Sequence, residues 1–179
     1  MKAATRTPSP PGTSARGMAR LSAVQAVFQL LQSEDKAADV VEQFLSFRVA
    51  EGGDAGMPVA ADRPFFSSLV KGVEADQAAL LELVEGSLAA DWTLARLDRL
   101  MRAVLVTGVH EMKARRDVPA PVVLSEYARV AGQFYQGNEP GFVTSVLDRI
   151  GRRLRPDEFS ERNDDAGKGT PDGAAPKPD

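Results

Sequence analysis

Apolar residues recur along this chain every three or four positions, which is the spacing of one buried face of an α-helix. The first such segment begins after Ser14, a residue type that caps helix N-termini. Its apolar face consists of Ala23, Val24, Val27, Leu30 and Leu31. The second segment is "ADVVEQFLSFRVAE", which ends at a pair of glycines. Its predicted buried face consists of Val40, Val41, Phe44, Leu45 and Phe47.

Four further helices are predicted from the same spacing. The third begins at Asp62, with Pro64 in its first turn, where a missing backbone N–H costs nothing. The fourth carries the stripe Leu94, Leu97, Leu100, Met101, Val104 and Leu105. It ends near Pro119, because a proline biases the residue before it away from the helical conformation. A fifth helix covers about residues 122–134 and a sixth about residues 139–154. No segment alternates like a strand, so the chain is predicted to be all-α.

The two ends of the chain lack these patterns. Residues 1–13 and 157–179 are rich in proline, glycine and charge, so we expect a disordered N-terminal extension and a disordered acidic tail. One helical domain remains, at residues 14–156. No stretch is long and apolar enough to span a membrane, and the N-terminus lacks the apolar region of a secretory signal. These features predict a cytoplasmic protein.

The charge of the chain is unevenly placed. The net charge is −3, yet residues 1–33 contain four basic side chains and no acidic one. Two of the four, Arg16 and Arg20, stand at the start of the first helix, where the helix dipole disfavours cations. A helix N-terminus also presents free N–H groups that can bind phosphate. We therefore interpret this segment as a candidate anion site. The net negative charge of the whole chain does not exclude an RNA partner.

The sequence offers no support for catalysis or for a metal. It contains no cysteine and one histidine, His110. A zinc-protease helix needs a second histidine four residues later, and that position is Ala114. We expect His110 to be a partly buried polar residue of the fourth helix. We also expect the protein not to be an enzyme and to need no metal or cofactor.

The sixth helix combines a buried stripe with a second, mixed flank. The stripe consists of Val143, Val146, Leu147, Ile150 and Leu154. At about 100° per residue, Phe142 shares the other flank with Arg149 and Arg153. An aromatic ring beside guanidinium groups can stack an RNA base and bind its phosphates. Alternatively, Phe142 packs against a neighbouring helix and the two arginines are only solvated. The pattern leaves both interpretations open.

Several separated blocks of the sequence resemble a known family. They are "ARLSAVQAVFQ", "FFSSLVKGV", "LDRLMRAVLVTGVHEMKARRDVPAPVVLSEYARVAGQF" and "NEPGFVTSVLDRI". In this order, over about residues 14–156, they resemble the NusB family of bacterial transcription antitermination proteins. The resemblance implies two packed three-helix subdomains and a non-enzymatic role. Such a protein binds the boxA element of single-stranded nascent RNA together with the ribosomal protein NusE, and the complex helps RNA polymerase read through terminators.

The resemblance also implies which residues form the binding sites. The positions that match the family's RNA contacts are Arg16, Arg20, Asn138 and Phe142. The positions that match its NusE-facing surface are Met101, Arg102 and Glu111.

The chain departs from the family pattern at some of the RNA-contacting positions. Gly17 and Met18 stand where relatives often have further basic residues, Asn138 replaces an acidic residue, and Thr144 replaces an amide. A second hypothesis therefore stays open. In it, the chain is a helical protein-interaction module that binds NusE and reads RNA weakly or not at all.

Overall fold

The computed structural model describes residues 14–46 and 61–165, with side chains up to residue 160. Within these ranges the chain forms α-helices and one short 3-10 turn but no strand, which confirms the all-α prediction. The helices are α1 (Ala15–Leu30), α2 (Ala37–Phe44), α3 (Arg63–Glu85), α4 (Arg99–Ala114), α5 (Ala120–Ala131), α6 (Glu139–Leu154) and α7 (Pro156–Asp165). The predicted extension at residues 1–13 and the predicted core residue Phe47 lie outside the described residues. None of the helices in the described part is long and apolar enough to cross a lipid bilayer.

Side-chain caps fix where three of the helices begin. Ser14 Oγ accepts a hydrogen bond of 3.0 Å from the amide three residues ahead, and Asp62 Oδ1 does the same at 3.0 Å. Both caps confirm the starts predicted for α1 and α3. The fourth helix begins later than predicted, because Leu94–Arg96 form a separate 3-10 turn. Asp98 then caps α4 with a hydrogen bond of 2.8 Å.

Two clusters of buried side chains divide the molecule into α1–α3 and α4–α6. The first cluster includes Ala19, Ala23, Ala26, Val40, Phe44, Phe66, Leu69 and Val70. The second includes Val104, Leu105, Val109, Val123, Tyr127, Val146, Leu147 and Ile150. Helices α1 and α3 also pack on the second cluster, through Val24 and Val27 of α1 and Val73, Leu80 and Val84 of α3. This arrangement confirms the two packed three-helix subdomains.

The tail predicted to be disordered from residue 157 begins with a packed helix, α7. Phe159 is buried against α6, where Gly151 leaves room for its ring: a Cβ on Gly151 would lie 2.6 Å from Phe159 Cζ. Glu158 Oε2 accepts a hydrogen bond of 2.6 Å from the Ala120 amide, which ties α7 to the start of α5. The prediction failed because one aromatic residue in a charged segment gives no recognisable helical stripe.

A buried arginine joins the end of α4 to the turn between α6 and α7. Arg155 is fully buried and donates to the carbonyl oxygens of Met112 and Val118, both at 2.7 Å, and of Arg115 at 2.8 Å. The last carbonyls of a helix lack partners within that helix. The guanidinium therefore satisfies backbone groups that the fold would otherwise bury without hydrogen bonds.

Candidate nucleic-acid interface

Arg20, expected to project outward as a phosphate ligand, points into the molecule instead. It is 3% exposed, and its Nε and Nη2 donate to the two carboxylate oxygens of Glu111 at 2.9 and 2.6 Å. Its Nη1 lies 3.4 Å from Glu126 Oε2. Glu111, itself 0% exposed, also accepts a hydrogen bond of 2.9 Å from the Tyr127 hydroxyl. The structure corrects the expectation for Arg20, because its donors are committed to carboxylates of α4 and α5.

The ionised forms of Arg20 and Glu111 stabilise each other in this buried network, and the Tyr127 hydroxyl stays neutral beside them. Burial by itself would lower the pKa of Arg20, but the hydrogen bonds and the charge of Glu111 outweigh burial and raise that pKa. Burial raises the pKa of the Tyr127 hydroxyl well above its ordinary value, and the charge of Glu111 adds to the effect. The phenol therefore stays protonated and keeps donating to Glu111. The network joins α1 to α4 and α5.

Arg16 remains on the surface, and it is joined there by an arginine that the sequence did not indicate. The side chain of Arg16 is 45% exposed, and its Cζ lies 5.2 Å from the centre of the Phe65 ring. Arg115 Cζ lies 5.0 Å from the same ring. Two carboxylates flank the pair, with Asp62 at 3.7 Å and Asp117 at 3.8 Å from Arg16. We call Arg16 and Arg115 the N-terminal arginine pair.

Arg115 is itself paired with a carboxylate of the surface, Asp117. The guanidinium donates twice to Asp117, at 2.8 and 2.9 Å. These hydrogen bonds hold the pKa of Asp117 at about 2. The nearby positions Gly17 and Met18 are buried, so basic side chains there would not face solvent in this fold. The available signal for Arg115 was the basic run "KARRD" at the end of the predicted fourth helix.

A second candidate surface lies at the start of α6. Phe142 is half-buried, and its ring centre lies 5.3 Å from that of Trp92, with 45° between the planes. A groove of about 340 Å³ opens beside the two rings. We call it the Trp92 groove; its lining includes Trp92, Arg96, Asp98, Tyr135, Asn138 and Phe142. Sequence reasoning identified Asn138 and Phe142 but missed Trp92 and Arg96, which lie in the connection before α4.

The arginines predicted on the flank of Phe142 line up with it along α6. Arg149 Nη1 donates to the Ser87 carbonyl at 3.0 Å, and a Cβ on Gly86 would lie 3.9 Å from Arg153 Nη1. Both arginines are exposed. This side of α6 therefore faces the connection between α3 and α4. Phe142 thus packs on Trp92, which precedes α4, and both arginines stay accessible, while the binding of RNA by this flank stays a prediction.

The two candidate surfaces lie near opposite ends of α4. Met101, close to the start of α4, lines the Trp92 groove, whereas Arg115 directly follows the last residue of the helix. Fourteen residues separate these two positions, which corresponds to about 21 Å along the axis at 1.5 Å per residue. A single nucleotide cannot reach both surfaces, so an RNA that contacts both must contribute a strand of several nucleotides.

Comparison with known proteins assigns the family. The model of the NusB family matches residues 18–152. The chain belongs to the NusB family. It is 42% identical over 156 residues to the transcription antitermination protein NusB of Rhodopseudomonas palustris, covering 86% of this chain and 92% of that protein. It is 43% identical over 157 residues to the protein of the same name from Maricaulis maris, covering 88% and 98%.

The fold of the chain is also that of a solved NusB structure. NusB from T. maritima superposes with a TM-score of 0.65 at 22% sequence identity, and the match covers 84% of this chain and 97% of that one. At this identity the likeness concerns the fold alone.

The residues expected to face NusE are mostly internal in this NusB-family chain. Met101 is 4% exposed and Glu111 is 0% exposed, so the structure corrects the expectation that their side chains form a partner surface. Arg102 is half-buried, and its Nε donates to the Leu97 carbonyl at 3.1 Å. Of the three, only Arg102 keeps part of its side chain on the surface of α4.

His110 of this NusB-family chain is half-buried on α4, as the sequence predicted. Burial lowers its pKa, and its Nδ1 has no hydrogen-bond partner. Within the described ranges, no group of three or more histidine, aspartate or glutamate side chains is arranged to hold a metal ion.

Proposed function

We propose that this NusB-family protein acts in transcription antitermination. It binds the boxA element of single-stranded nascent RNA, ribosomal transcripts included, together with the ribosomal protein NusE, and the complex promotes read-through by RNA polymerase. Relatives that are 42–43% identical over most of their length carry the name transcription antitermination protein. The observation that carries the proposal is the row on α6, where exposed Asn138 and half-buried Phe142 precede two exposed arginines.

This row has the chemistry that single-stranded RNA recognition needs. Aromatic rings stack unpaired bases, amide groups bind base edges, and guanidinium groups bind phosphates. In the proposed complex Phe142 stacks a base, Asn138 contacts a base edge, and Arg149 and Arg153 bind phosphates. The N-terminal arginine pair, about 21 Å away along α4, extends the path for the RNA backbone. The role is binding, with no bond made or broken.

The charge around the arginine pair favours a dependence on the protein partner. Arg20 is committed to Glu111, and Arg16 is flanked by Asp62 and Asp117, so the start of α1 offers less free positive charge than the sequence suggested. This observation also favours the second candidate function, a module that binds NusE and reads RNA weakly. We place the accessible part of Arg102 on the NusE side. Both partners belong to the bacterial cytoplasm, where we expect the protein to act.

A titration of labelled single-stranded RNA tests the proposal. Short boxA-like and scrambled RNAs are titrated with the protein alone and with NusE present. We expect tighter binding of the boxA-like RNA and a further gain with NusE. Replacing the arginine pair (Arg16→Gln with Arg115→Gln) should weaken binding and reduce the salt slope by about 0.7 per lost phosphate contact.

Lys36→Gln is the control for the loss of a positive charge elsewhere on the surface, since Lys36 directly precedes α2, at the far end of α1 from Arg16. It should leave affinity and salt slope unchanged. Equal binding of both RNAs, with and without NusE, would contradict the proposal. NusE binding without any gain from boxA-like RNA would select the second candidate.

A further inference from the structure

The short connection between α4 and α5 carries Arg115, one member of the N-terminal arginine pair. Helix α4 ends at Ala114 and α5 begins at Ala120. The last carbonyl groups of α4 have no partners within that helix. At the other end, Pro119 stands at the N-cap of α5 and makes no capping hydrogen bond with its side chain. The backbone of the connection therefore depends on hydrogen-bond partners from elsewhere in the molecule.

These partners come from the start of α7 and from the residue before it. Arg155 Nη2 donates to the carbonyl oxygen of Arg115 at 2.8 Å, and Arg155 Nη1 donates to that of Val118 at 2.7 Å. Glu158 Oε2 accepts a hydrogen bond of 2.6 Å from the Ala120 amide, so α7 caps α5 from outside. A carboxylate at this position also interacts favourably with the dipole of α5. One segment thus holds both ends of the connection.

Glu158 joins the two sets of hydrogen bonds. Its second oxygen, Oε1, accepts from Arg155 Nη1 at 3.2 Å, so the fully buried guanidinium has a charged partner. Phe159 packs against Gly151 of α6 and thereby fixes the position of the first turn of α7. A displacement of Glu158 would therefore reach the backbone of Arg115 through a single intervening side chain, that of Arg155.

The charge of α7 is opposite to that of an RNA ligand site. Its first turn carries Asp157 and Glu158, which would repel a phosphate. A contribution of α7 to RNA binding therefore has to pass through the connection that it holds. Arg115 is the group there that a phosphate can reach, since its side chain is 28% exposed and its Cζ lies 5.0 Å from the centre of the Phe65 ring. The planar guanidinium binds anions in a defined geometry, so its orientation affects affinity.

We propose that α7 positions the N-terminal arginine pair for RNA, with Glu158 as the positioning residue. Glu158 holds the connection, which keeps the guanidinium of Arg115 beside that of Arg16, where both meet the RNA backbone. This inference rests on the proposed RNA-binding function and adds to it a residue that does not touch RNA. It gives an acidic side chain a favourable effect on the binding of a polyanion, which is the reverse of its direct electrostatic effect.

Two substitutions of Glu158 test the inference, with affinity measured by anisotropy of labelled single-stranded RNA and expressed per folded molecule. Glu158→Ala removes both hydrogen bonds, and it should weaken RNA binding about twofold or more although it removes a negative charge. Its salt slope should fall by about 0.7, the share of one phosphate contact on a single strand. Glu158→Gln keeps an oxygen that can accept from the Ala120 amide, so it should bind close to the unchanged protein.

Asp157→Ala is the matched control for charge. It removes the same charge from the exposed residue next to Glu158. Because the structure gives Asp157 no hydrogen bond to the connection, this variant should bind RNA as tightly as the unchanged protein or more tightly, with the same salt slope.

Two further measurements separate positioning from a general loss of stability. In an Arg115→Gln background, where the phosphate contact is already absent, Glu158→Ala should cause no further weakening of RNA binding. Without RNA, hydrogen exchange of the amides in residues 115–122 should be faster in Glu158→Ala and unchanged in Asp157→Ala.

The outcomes distinguish this inference from the proposed function. If Glu158→Ala binds RNA as Asp157→Ala does, with an unchanged salt slope, the positioning role is refuted and the proposed function stands. Equal weakening with and without Arg115 also refutes it, because the effect would not pass through that residue. Unchanged hydrogen exchange in Glu158→Ala would show that α7 does not hold the connection. If the unchanged protein binds no RNA, with or without NusE, the proposed function fails and the positioning role fails with it.

Discussion

Replacing Arg20 by methionine should destabilise the protein strongly, because it leaves a buried carboxylate without its partner. Glu111 is 0% exposed and receives three hydrogen bonds of 2.6–2.9 Å from side chains, two from Arg20 and one from Tyr127. After Arg20→Met only the tyrosine remains. Removing one partner of a buried ion pair costs about 3–5 kcal/mol. That is a large share of the about 5–15 kcal/mol that stabilises a typical domain.

A double-mutant cycle with Arg20→Met, Glu111→Leu and the double variant separates the interaction energy of the ion pair from the packing lost at each site. Arg20→Met combined with Glu111→Leu removes both buried charges, and replacing such a pair by apolar residues is often close to neutral. The Tyr127 hydroxyl then loses its acceptor, which costs about 1–3 kcal/mol. We expect the double variant to be more stable than Arg20→Met alone, with an interaction energy of about 2 kcal/mol or more between the two sites.

Arg16→Met is the matched control for this prediction. It makes the same change one helical turn earlier, on a side chain that is 45% exposed. Its ion pairs to Asp62 and Asp117 are solvent-exposed, so the free energy of unfolding should change by no more than about 0.5 kcal/mol. In contrast to Arg20→Met, it should lower the salt slope of RNA binding.

Urea unfolding with linear extrapolation gives the free energies for all five proteins: the unchanged protein, Arg20→Met, Glu111→Leu, the double variant and Arg16→Met. RNA affinity is measured in parallel and expressed per folded molecule. We expect the loss in Arg20→Met to appear in stability and not in RNA affinity. The reasoning is refuted if Arg20→Met costs less than about 1 kcal/mol of stability while RNA affinity per folded molecule falls tenfold. Arg20 would then be an RNA ligand.

Two further predictions concern α7 and the single histidine. Phe159→Ala should lower the free energy of unfolding by about 3 kcal/mol, because the ring is 3% exposed. The control Ser160→Ala, at an exposed neighbour, should change it by less than about 0.5 kcal/mol. Equal urea midpoints for the two variants would show that α7 is not part of the folded unit. Burial lowers the pKa of His110 in the folded protein, so the unfolded chain binds a proton at this imidazole more readily. The neutral imidazole therefore contributes stability above about pH 6.5, and this contribution is lost as the pH falls. His110→Gln should therefore lose less stability than the unchanged protein between pH 7.5 and 5.5, and parallel losses in the two proteins would contradict this assignment.

The sequence alone determined the helices that have regular stripes and clear caps. The last long helix was predicted at about residues 139–154 and lies at Glu139–Leu154, because its buried positions repeat at helical spacing. Ser14 and Asp62 cap as expected, because capping depends on residues three positions apart. The fifth helix begins two residues earlier than predicted, with Pro121 in its first turn.

The tertiary structure decided which of two similar arginines is available to a ligand. Arg16 and Arg20 are alike in sequence: both stand at the start of α1, far from any acidic residue. The fold places Glu111, 91 positions away, against Arg20, and leaves Arg16 beside surface carboxylates. Local sequence cannot show this difference, because the burial and charge of a side chain depend on residues that only the packing of helices brings near. Trp92 and Phe142, 50 positions apart, meet beside one groove for the same reason.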